Sequence, residues 1–183
     1  MHRFFLEPER WTEPDLLLDA AESRHLSRVL RLRPDDTVAV LDGAGRSALC
    51  RVADADSRQA RLAVLEIRRE APPRPRLALY QALPKGARLE TVLQKATEIG
   101  ADEILLLQAE RSVARLPRNA DTKRERWGRL VVEAAKQCGR TYLPRLDVFS
   151  SLRKALGAAP AGVLLHASLE DDARPLGQIG RAS

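Results

Sequence analysis

Cysteine and histidine are scarce in this sequence, although most metal sites and disulfide frameworks are built from them. Its 183 residues include two cysteines and three histidines. Cys50 and Cys138 are far apart and form no CxxC motif, so neither a disulfide framework nor a zinc site is expected. His2, His25 and His166 show no metal-ligand spacing. We therefore predict no metal cofactor.

Long apolar runs are missing as well. Runs such as 104–107 are far shorter than the roughly 20 residues that a transmembrane helix needs. The first six residues are followed at once by Glu7, Pro8 and Glu9, so no apolar core of signal-peptide length is present. The sequence therefore predicts a cytoplasmic protein with no membrane partner.

The loops that mark several common enzyme classes are also absent. Gly43-Ala44-Gly45 lacks a third glycine and leads into a strand pattern, which is typical of a hairpin turn rather than a dinucleotide loop. Lys85-Gly86 has no glycine loop before it and is not a phosphate-binding P-loop. No GxSxG motif or cysteine–histidine signature occurs. Hydrolytic and nucleotide-dependent chemistry therefore have little support.

Positive charge is present in excess, and the excess lies in one segment. The net charge is +6, and residues 71–150 carry 15 Lys and Arg against 9 Asp and Glu, whereas residues 1–70 carry 12 against 13. A localised basic excess favours a polyanionic ligand, because neutralised phosphates release condensed counterions. A solvated basic surface without a ligand would explain the same charge, so charge alone leaves both interpretations open.

A proline cluster at residues 71–75 divides the sequence into two patterns. Neither a helix nor a central strand accommodates these prolines, so the cluster indicates an extended linker. Before it, short apolar runs between turn-forming residues predict a small antiparallel sheet or barrel. After it, strands and helices alternate, which predicts a parallel sheet covered by helices. The predicted fold is α/β with a small β domain, and the predicted domains are 1–70 and 71–183.

The apolar period predicts individual elements in both parts. In the first part, Leu26, Val29 and Leu30 form the apolar stripe of a helix. The predicted elements of the first part are strands 37–41, 48–52 and 61–67 and helix 22–30. Those of the second part are strands 76–83, 103–107, 143–149 and 162–166 and helices 88–99, 121–138 and 152–156.

Two predicted helices in the second part carry polar faces, because their polar residues follow the helical repeat. An ion-paired solvent face explains both patterns at least as well as a binding face does. The residues on these faces are Arg88, Thr91, Lys95 and Glu98 in the first helix and Glu133, Lys136, Gln137 and Arg140 in the second. The segment 109–112 directly follows a predicted strand, and ligand sites of α/β sheets form at strand ends.

In order and spacing, eight short segments resemble the signature motifs of one enzyme family. They are Arg3–Phe5, His25–Arg31, Asp42-Gly43, Lys85-Gly86, Gln94–Gly100, Glu110–Ser112, Glu133–Arg140 and Leu143-Pro144. The series is similar to that of the ribosomal RNA small subunit methyltransferase E family, the 16S rRNA uridine-N3 methyltransferases. The match extends over nearly the whole chain, so coincidence is a poor explanation.

The resemblance implies both a fold and a reaction. The fold would be an N-terminal PUA-like β-barrel that binds RNA, followed by a SPOUT (α/β knot) methyltransferase domain. The reaction would transfer a methyl group from S-adenosyl-L-methionine to N3 of a uridine in 16S ribosomal RNA. Since N3 lies on the Watson–Crick edge, the base has to be unpaired or flipped out first. The implied partners are 16S ribosomal RNA or the small ribosomal subunit and a second copy of the chain, as a homodimer.

The resemblance also suggests which residues act. Glu98, Glu110 and Arg111 are candidates in the catalytic site, with none of them assigned as a base. The cofactor-binding candidates are Leu165 and His166. The RNA-binding candidates are Arg3, His25, Arg28, Arg31, Lys85, Arg88, Lys95, Lys136, Gln137 and Arg140.

Two motifs of the family do not occur in the sequence. These are the knot-forming Gly-Pro-Glu-Gly-Gly loop and the later Leu-Gly…Arg-Ile-Leu-Arg…Glu-Thr-Ala segment. We therefore expect a SPOUT domain that lacks its C-terminal knot segment, and a polypeptide ending at Ser183 would bind no cofactor and be inactive. The alternative is a non-catalytic RNA-binding protein or fragment that retains the RNA face without a cofactor pocket.

Overall fold

Two separate β-sheets organise the protein, one on each side of the proline cluster. The computed structural model describes residues 1–84, 86–109, 120–158 and 162–167, without the side chains of residues 120 and 121. The first sheet takes all its strands from residues 3–69, and the second takes its strands from residues 78–149. Each sheet packs against its own hydrophobic core. The change of pattern at the prolines is therefore also a change of sheet.

The first sheet has five strands in the order β1-β3-β4-β5-β2 and curls into a half-barrel. Its β1 pairs parallel to β3, and the other pairings are antiparallel. The strands are β1 (Arg3–Phe5), β2 (Asp15–Leu17), β3 (Thr37–Leu41), β4 (Arg46–Asp54) and β5 (Arg61–Arg69). The prediction of a small β domain is confirmed. The three-residue strands β1 and β2 were not predicted, because three residues are too few to show an alternating pattern.

One helical segment, α1 (Ala20–Arg24) with a π-helical turn (His25–Val29), interrupts the strands. It begins at Ala20 because the Asp19 carboxylate accepts hydrogen bonds from two free amides of the first turn, both at 2.8 Å. Leu26 is buried as predicted, but the prediction for Val29 is wrong, since that side chain is 67% exposed. The π turn adds a residue to the repeat and rotates Val29 out of the apolar stripe.

The second sheet is parallel, with the order β6-β7-β8. All five residues of the central strand β7 are buried, as expected for a strand covered on both faces. The strands are β6 (Ala78–Ala82), β7 (Glu103–Leu107) and β8 (Arg145–Phe149), and the helices are α2 (Arg88–Glu98), α3 (Ala120–Cys138) and α4 (Leu152–Gly157). The predicted alternation of strands and helices is confirmed up to residue 157.

The connections fix which end of this sheet each motif occupies. Helix α2 starts after β6 and ends just before β7, and α3 ends just before β8. The C-terminal ends of both helices therefore lie with the amino ends of the strands. Ligands of open parallel sheets bind at the opposite edge, beyond the carboxyl ends. Any residue at the end of α2 or α3 is thus remote from the edge where a cofactor is expected.

The strand predicted at 162–166 is not found, and that prediction is wrong. Residues 162–167 are exposed and extended without strand pairing, with Leu164 61% exposed. An apolar run becomes a strand only where a neighbouring strand accepts its hydrogen bonds. Within the described residues, none of the three parallel strands pairs with this segment.

The two cysteines have contrasting environments. Cys50 lies in the half-barrel core with no exposed surface, and this burial raises the pKa of its thiol to about 12. Cys138, at the end of α3, is exposed. The two thiols therefore differ sharply in accessibility.

The described ranges contain neither a membrane-spanning helix nor a cluster of metal-binding side chains. No helix there is both long and apolar enough to span a bilayer. Nor does any trio of His, Cys, Asp or Glu side chains in those ranges have the arrangement of a metal site.

The exposed linker generates a prediction about domain structure. Residues 71–77 are all exposed, and exposed segments between packed units are preferred sites of proteolysis. We expect trypsin to cut first after Arg76, since Arg74 precedes a proline, and to release a half-barrel unit that resists further digestion. Mass spectrometry of a time course would identify the products. An Arg76→Gln variant should lose this cut, and first cleavage inside 37–69 would contradict the domain boundary.

Candidate functional site

Four of the eight signature segments, those that contain Arg3, Gly43, Gly139 and Leu143, contribute contacts where the half-barrel meets the end of α3. We call this region the joint and define it by five residues: Arg3, Glu22, Gly43, Lys136 and Gly139. The first three belong to the half-barrel and the last two to the end of α3. Each makes a contact across the boundary between the two sheets. The joint therefore gives a structural role to Arg3, Gly43, Lys136 and Gly139, which all lie in signature segments.

Arg3 caps α3 from outside the helix. Its Nη1 donates to the carbonyl oxygens of Lys136 at 3.2 Å and Gln137 at 3.1 Å. The last carbonyls of a helix have no partner inside it, and they carry the negative end of the helix dipole. A guanidinium at this position donates hydrogen bonds to the free carbonyls and places a positive charge at the negative end of the dipole. The predicted RNA contact of Arg3 is untested, but its guanidinium is occupied by the helix.

Two glycines allow the close approach of the chains. Gly139 follows α3 with φ of +80°, a left-handed conformation that glycine adopts without strain. A Cβ there would lie 3.0 Å from the Arg3 guanidinium carbon. Gly43 has φ of +74°, and a Cβ there would lie 2.8 Å from the Leu143 side chain. Both positions therefore require glycine for backbone conformation and for space.

Asp42 builds the turn that carries Gly43 to the joint. Its buried carboxylate accepts from the Ala44 and Arg46 amides, each at 2.8 Å, and from Arg46 Nε at 2.6 Å. The turn then meets the second domain through backbone groups. The Leu143 amide donates to the Gly43 carbonyl at 2.9 Å. The Asp42-Gly43 motif is thus a structural element of the joint.

Lys136 is buried between two carboxylates. Its Nζ donates to Glu22 Oε1 at 2.7 Å and to Glu133 Oε1 at 2.9 Å, and its side chain is 9% exposed. Burial lowers the pKa of Lys136, but the hydrogen bonds to Glu22 and Glu133 outweigh it, so the pKa is raised overall. Burial also raises the pKa of Glu22, against the opposing effect of Lys136. The sequence analysis placed Lys136 among side chains that reach phosphates, whereas the structure buries its ammonium between two carboxylates.

Arg140 joins the ends of α2 and α3. Its Nη1 donates to the Thr97 carbonyl at 3.1 Å, and its Nη2 lies 3.5 Å from Asp102 Oδ1. Burial lowers the pKa of Arg140. A cavity of about 300 Å³ lies beside it. The lining includes Glu70, Pro73, Glu98, Ile99, Cys138 and Tyr142.

Glu98 lies at the amino edge of the parallel sheet. Its carboxylate accepts from Lys95 Nζ at 2.7 Å and from Gln94 Nε2 at 2.8 Å. These hydrogen bonds, that of Lys95 first, lower the pKa of Glu98. A carboxylate with a lowered pKa is a weaker base, and this one is remote from the edge where cofactors bind. The structure thus places Glu98 as a partner of Lys95, and its catalytic role stays an untested prediction.

The remaining sequence-predicted candidates belong to several segments of the second domain. Lys85, Glu110 and Arg111 lie outside the described residues. Arg88 begins α2 and is exposed with no ion pair in the described ranges. Gln137 is exposed at the end of α3. Leu165 and His166 are exposed as well, and Leu165 is 51% exposed.

The helical segment of the half-barrel and the loop that follows it carry a group of exposed arginines, which we call the arginine face. All four are exposed, and within the described residues none forms an ion pair: Arg24, Arg28, Arg31 and Arg33. The acids of this segment are occupied, since Asp19 caps the helix and Glu22 binds Lys136. His25 is half-buried, with its ring edge-on to Phe4 at 6.2 Å. The arginine face therefore has uncompensated positive charge.

Sequence reasoning named only part of this surface. Arg28 and Arg31 were among the RNA-binding candidates, but Arg24 and Arg33 were not. The i, i+4 spacing of Arg24 and Arg28 places both on one side of the helical segment and could have indicated the larger group. The near-zero net charge of residues 1–70 gave no sign of this group of arginines. That net charge counts acids that cap a helix or form ion pairs in the folded protein.

Comparison with known proteins identifies both parts of the chain. Residues 18–65 match a family model described as an RNA methyltransferase PUA domain, and residues 71–181 match one described as an RNA methyltransferase domain. The first matched region ends before the proline cluster, and the second begins at its first residue. Together they define a class of protein, the RNA methyltransferases that carry a PUA domain.

Individual relatives narrow the class. Ribosomal RNA small subunit methyltransferase E of Mycobacterium bovis is 35% identical over 158 residues, which are 82% of this chain and 60% of that protein. The enzyme of the same name from Bacillus subtilis is 33% identical over 82% of this chain and 61% of its own length. The chain thus spans less than two thirds of these relatives. It belongs to the ribosomal RNA small subunit methyltransferase E family.

A solved structure agrees with this assignment. The crystal structure of ribosomal RNA small subunit methyltransferase E from Neisseria gonorrhoeae, bound to S-adenosyl methionine, matches with a TM-score of 0.87 at 30% identity. The match covers 100% of this chain and 76% of that one. The expected fold, a PUA-like domain followed by a SPOUT methyltransferase domain, is confirmed.

The joint generates a prediction that compares two glycines at α3. Gly139→Ala should destabilise the protein by more than about 1 kcal/mol, because the left-handed conformation disfavours alanine and the new methyl group meets Arg3. Gly128→Ala, inside the same helix with open space around it, should instead stabilise by up to about 1 kcal/mol. Urea denaturation of both variants measures the difference. Equal effects of the two substitutions would contradict the packing described for Gly139.

Proposed function

We propose that this chain contributes to S-adenosyl-L-methionine-dependent methylation of N3 of a uridine in 16S ribosomal RNA. The observation that carries the proposal is the match of the whole chain to a family member bound to that cofactor. The small ribosomal subunit or its RNA is the substrate, a homodimer is the assembly, and a ribosomal substrate implies a cytoplasmic location. We further propose that residues 1–70 and 71–183 are the two domains, which fits their separate sheets and cores.

The two cofactor-binding candidates are both accessible to solvent. Leu165 and His166 are exposed in an extended segment. A cofactor of this size needs a concave site that covers most of its surface. S-adenosyl-L-methionine would supply the methyl group, but we derive no step of the reaction from these two side chains.

RNA binding is the part of the function that the described residues support directly. Within the described residues, the guanidinium groups of the arginine face have no carboxylate partner, and phosphate oxygens are a matching acceptor. Arg88 adds a further cation on the second domain that forms no ion pair with those residues. Phosphate contacts of this kind set the register of an RNA, whereas the choice of nucleotide requires contacts to the base. The described residues thus account for RNA affinity rather than for the choice of uridine.

The target base sets a further requirement. N3 of uracil carries a proton, so its methylation needs a base or a charge-stabilising group near that nitrogen. Glu110 and Arg111 come shortly after β7 in sequence, and the carboxyl end of β7 is where a cofactor is expected. Glu98 lies at the other edge. We therefore favour Glu110 and Arg111 over Glu98 for a role at the reacting nitrogen.

Methyl transfer can be measured on ribosomal particles. Small subunits that lack the methyl group, incubated with radiolabelled S-adenosyl-L-methionine and the native protein, should acquire label in 16S RNA as N3-methyluridine. Nucleoside mass spectrometry identifies the product. Label in another nucleoside would contradict the proposed reaction. RNA binding without any label would favour the non-catalytic alternative.

The arginine face can be tested by its salt dependence. Arg28→Ala and Arg31→Ala should each weaken RNA binding and reduce the slope of log K against log salt by up to about 0.7, the value for one lost single-strand phosphate contact. Fluorescence anisotropy with a 16S transcript at several salt concentrations measures both quantities. Arg68→Ala is a matched control, because Arg68 is exposed but paired with Glu66 at 2.8 Å. Unchanged slopes in both arginine variants would contradict the proposed surface.

A further inference from the structure

We propose that Lys136 is a positioning residue that holds the arginine face at a fixed orientation to the second domain, so that one RNA can contact both domains. The proposal rests on the proposed RNA-binding function of the arginine face. It assigns Lys136 to the architecture of the RNA surface rather than to the RNA itself.

The contact made by Lys136 lies on the helix that carries Arg24 and Arg28, two members of the arginine face. Glu22, its partner at 2.7 Å, belongs to α1, two residues before Arg24. The helical backbone continues without a break from Ala20 through Val29. A helix transmits a displacement along its axis because its successive turns are joined by hydrogen bonds. A shift at Glu22 would therefore move Arg24 and Arg28 as well.

The other contacts of the joint act on different elements. Arg3 attaches β1 to the end of α3, and Gly43 attaches the turn between β3 and β4. These contacts hold the two domains together. Among the side-chain hydrogen bonds and ion pairs of the described residues, Lys136–Glu22 alone links α1 to the second domain. Lys136 is therefore the specific link between the arginine face and α3.

Burial explains why this link is stiff and why RNA is excluded from it. The Lys136 and Glu22 side chains are 9% and 13% exposed, and Glu22 Oε2 is buried without a hydrogen-bond partner. A phosphate could reach the ammonium only by displacing two carboxylates. Without the ammonium, Glu22 and Glu133 would face each other as like charges in a poorly solvated site. Loss of Lys136 should thus push α1 away from α3.

The first arm of the test measures orientation without RNA. Spin labels on Gln59→Cys and Glu125→Cys, both exposed positions, report the distance between the half-barrel and α3 in a Cys138→Ser background. Lys136→Met should broaden and shift the distance distribution, and the charge swap Lys136→Glu with Glu22→Lys should restore much of it. Lys95→Met is the matched control for this arm, since Lys95 pairs with Glu98 in the same i, i+3 geometry but outside the joint.

The second arm compares two RNAs of different reach. An oligouridine of about eight nucleotides can occupy one site, whereas a 16S transcript can contact both domains. Lys136→Met should weaken binding of the transcript at least about tenfold, because two linked contacts lose their shared geometry. Its effect on the oligouridine should stay within about twofold. If Lys136→Met simply unfolds the protein, binding of both RNAs will be lost. In that case Glu22→Gln, which removes one charge at constant size, is the variant to compare.

Three results would decide the matter. An unchanged distance distribution in Lys136→Met would overturn the proposal. Equal loss for both RNAs, with a salt slope lower by about 0.7, would also overturn it, because Lys136 would then bind phosphate. If the unaltered chain bound neither RNA, the proposed function would fail while the distance measurement still tested the link.

Discussion

The end of α3 is the position on which the rest of the arrangement depends. A helix terminus leaves carbonyl groups without hydrogen-bond donors. Here Arg3 of the half-barrel donates to two of these carbonyls. That contact requires Gly139, because any larger residue would meet the guanidinium. It also brings α1 close enough for Glu22 to reach Lys136. One unsatisfied helix end thus determines how two independently packed domains meet.

The same arrangement redistributes charge. A carboxylate that caps a helix or binds a buried lysine no longer offsets a neighbouring arginine on the surface. For this reason a half-barrel with balanced composition presents a positive face, while several cations of the basic second domain, including Arg124 and Arg145, are paired with acids. The positive surface that we propose for RNA binding therefore follows from the pairing pattern and not from the sum of charges.

The sequence was most informative where the determinants are local. Strand β7 and helix α2 were predicted to within one residue, because a continuous apolar run and a terminal glycine mark them directly. Lys136 has the helical spacing of a solvent-facing residue, and its burial depends on Glu22, 114 residues away. Val29 was misplaced by a π turn that alters the repeat by one residue. Contacts between remote segments and irregular turns were beyond the reach of periodicity.

Because the two thiols are unequally buried, the number of thiols that react reports whether the half-barrel is folded. Cys138 is open to a modifying reagent in the folded protein, whereas Cys50 is enclosed and protonated well above neutral pH. A thiolate is the reactive form, so the native chain should react with one equivalent of a thiol reagent. The second equivalent becomes accessible only when the half-barrel core opens. Counting reactive thiols with such a reagent during denaturation would therefore follow the half-barrel by itself, without an engineered label.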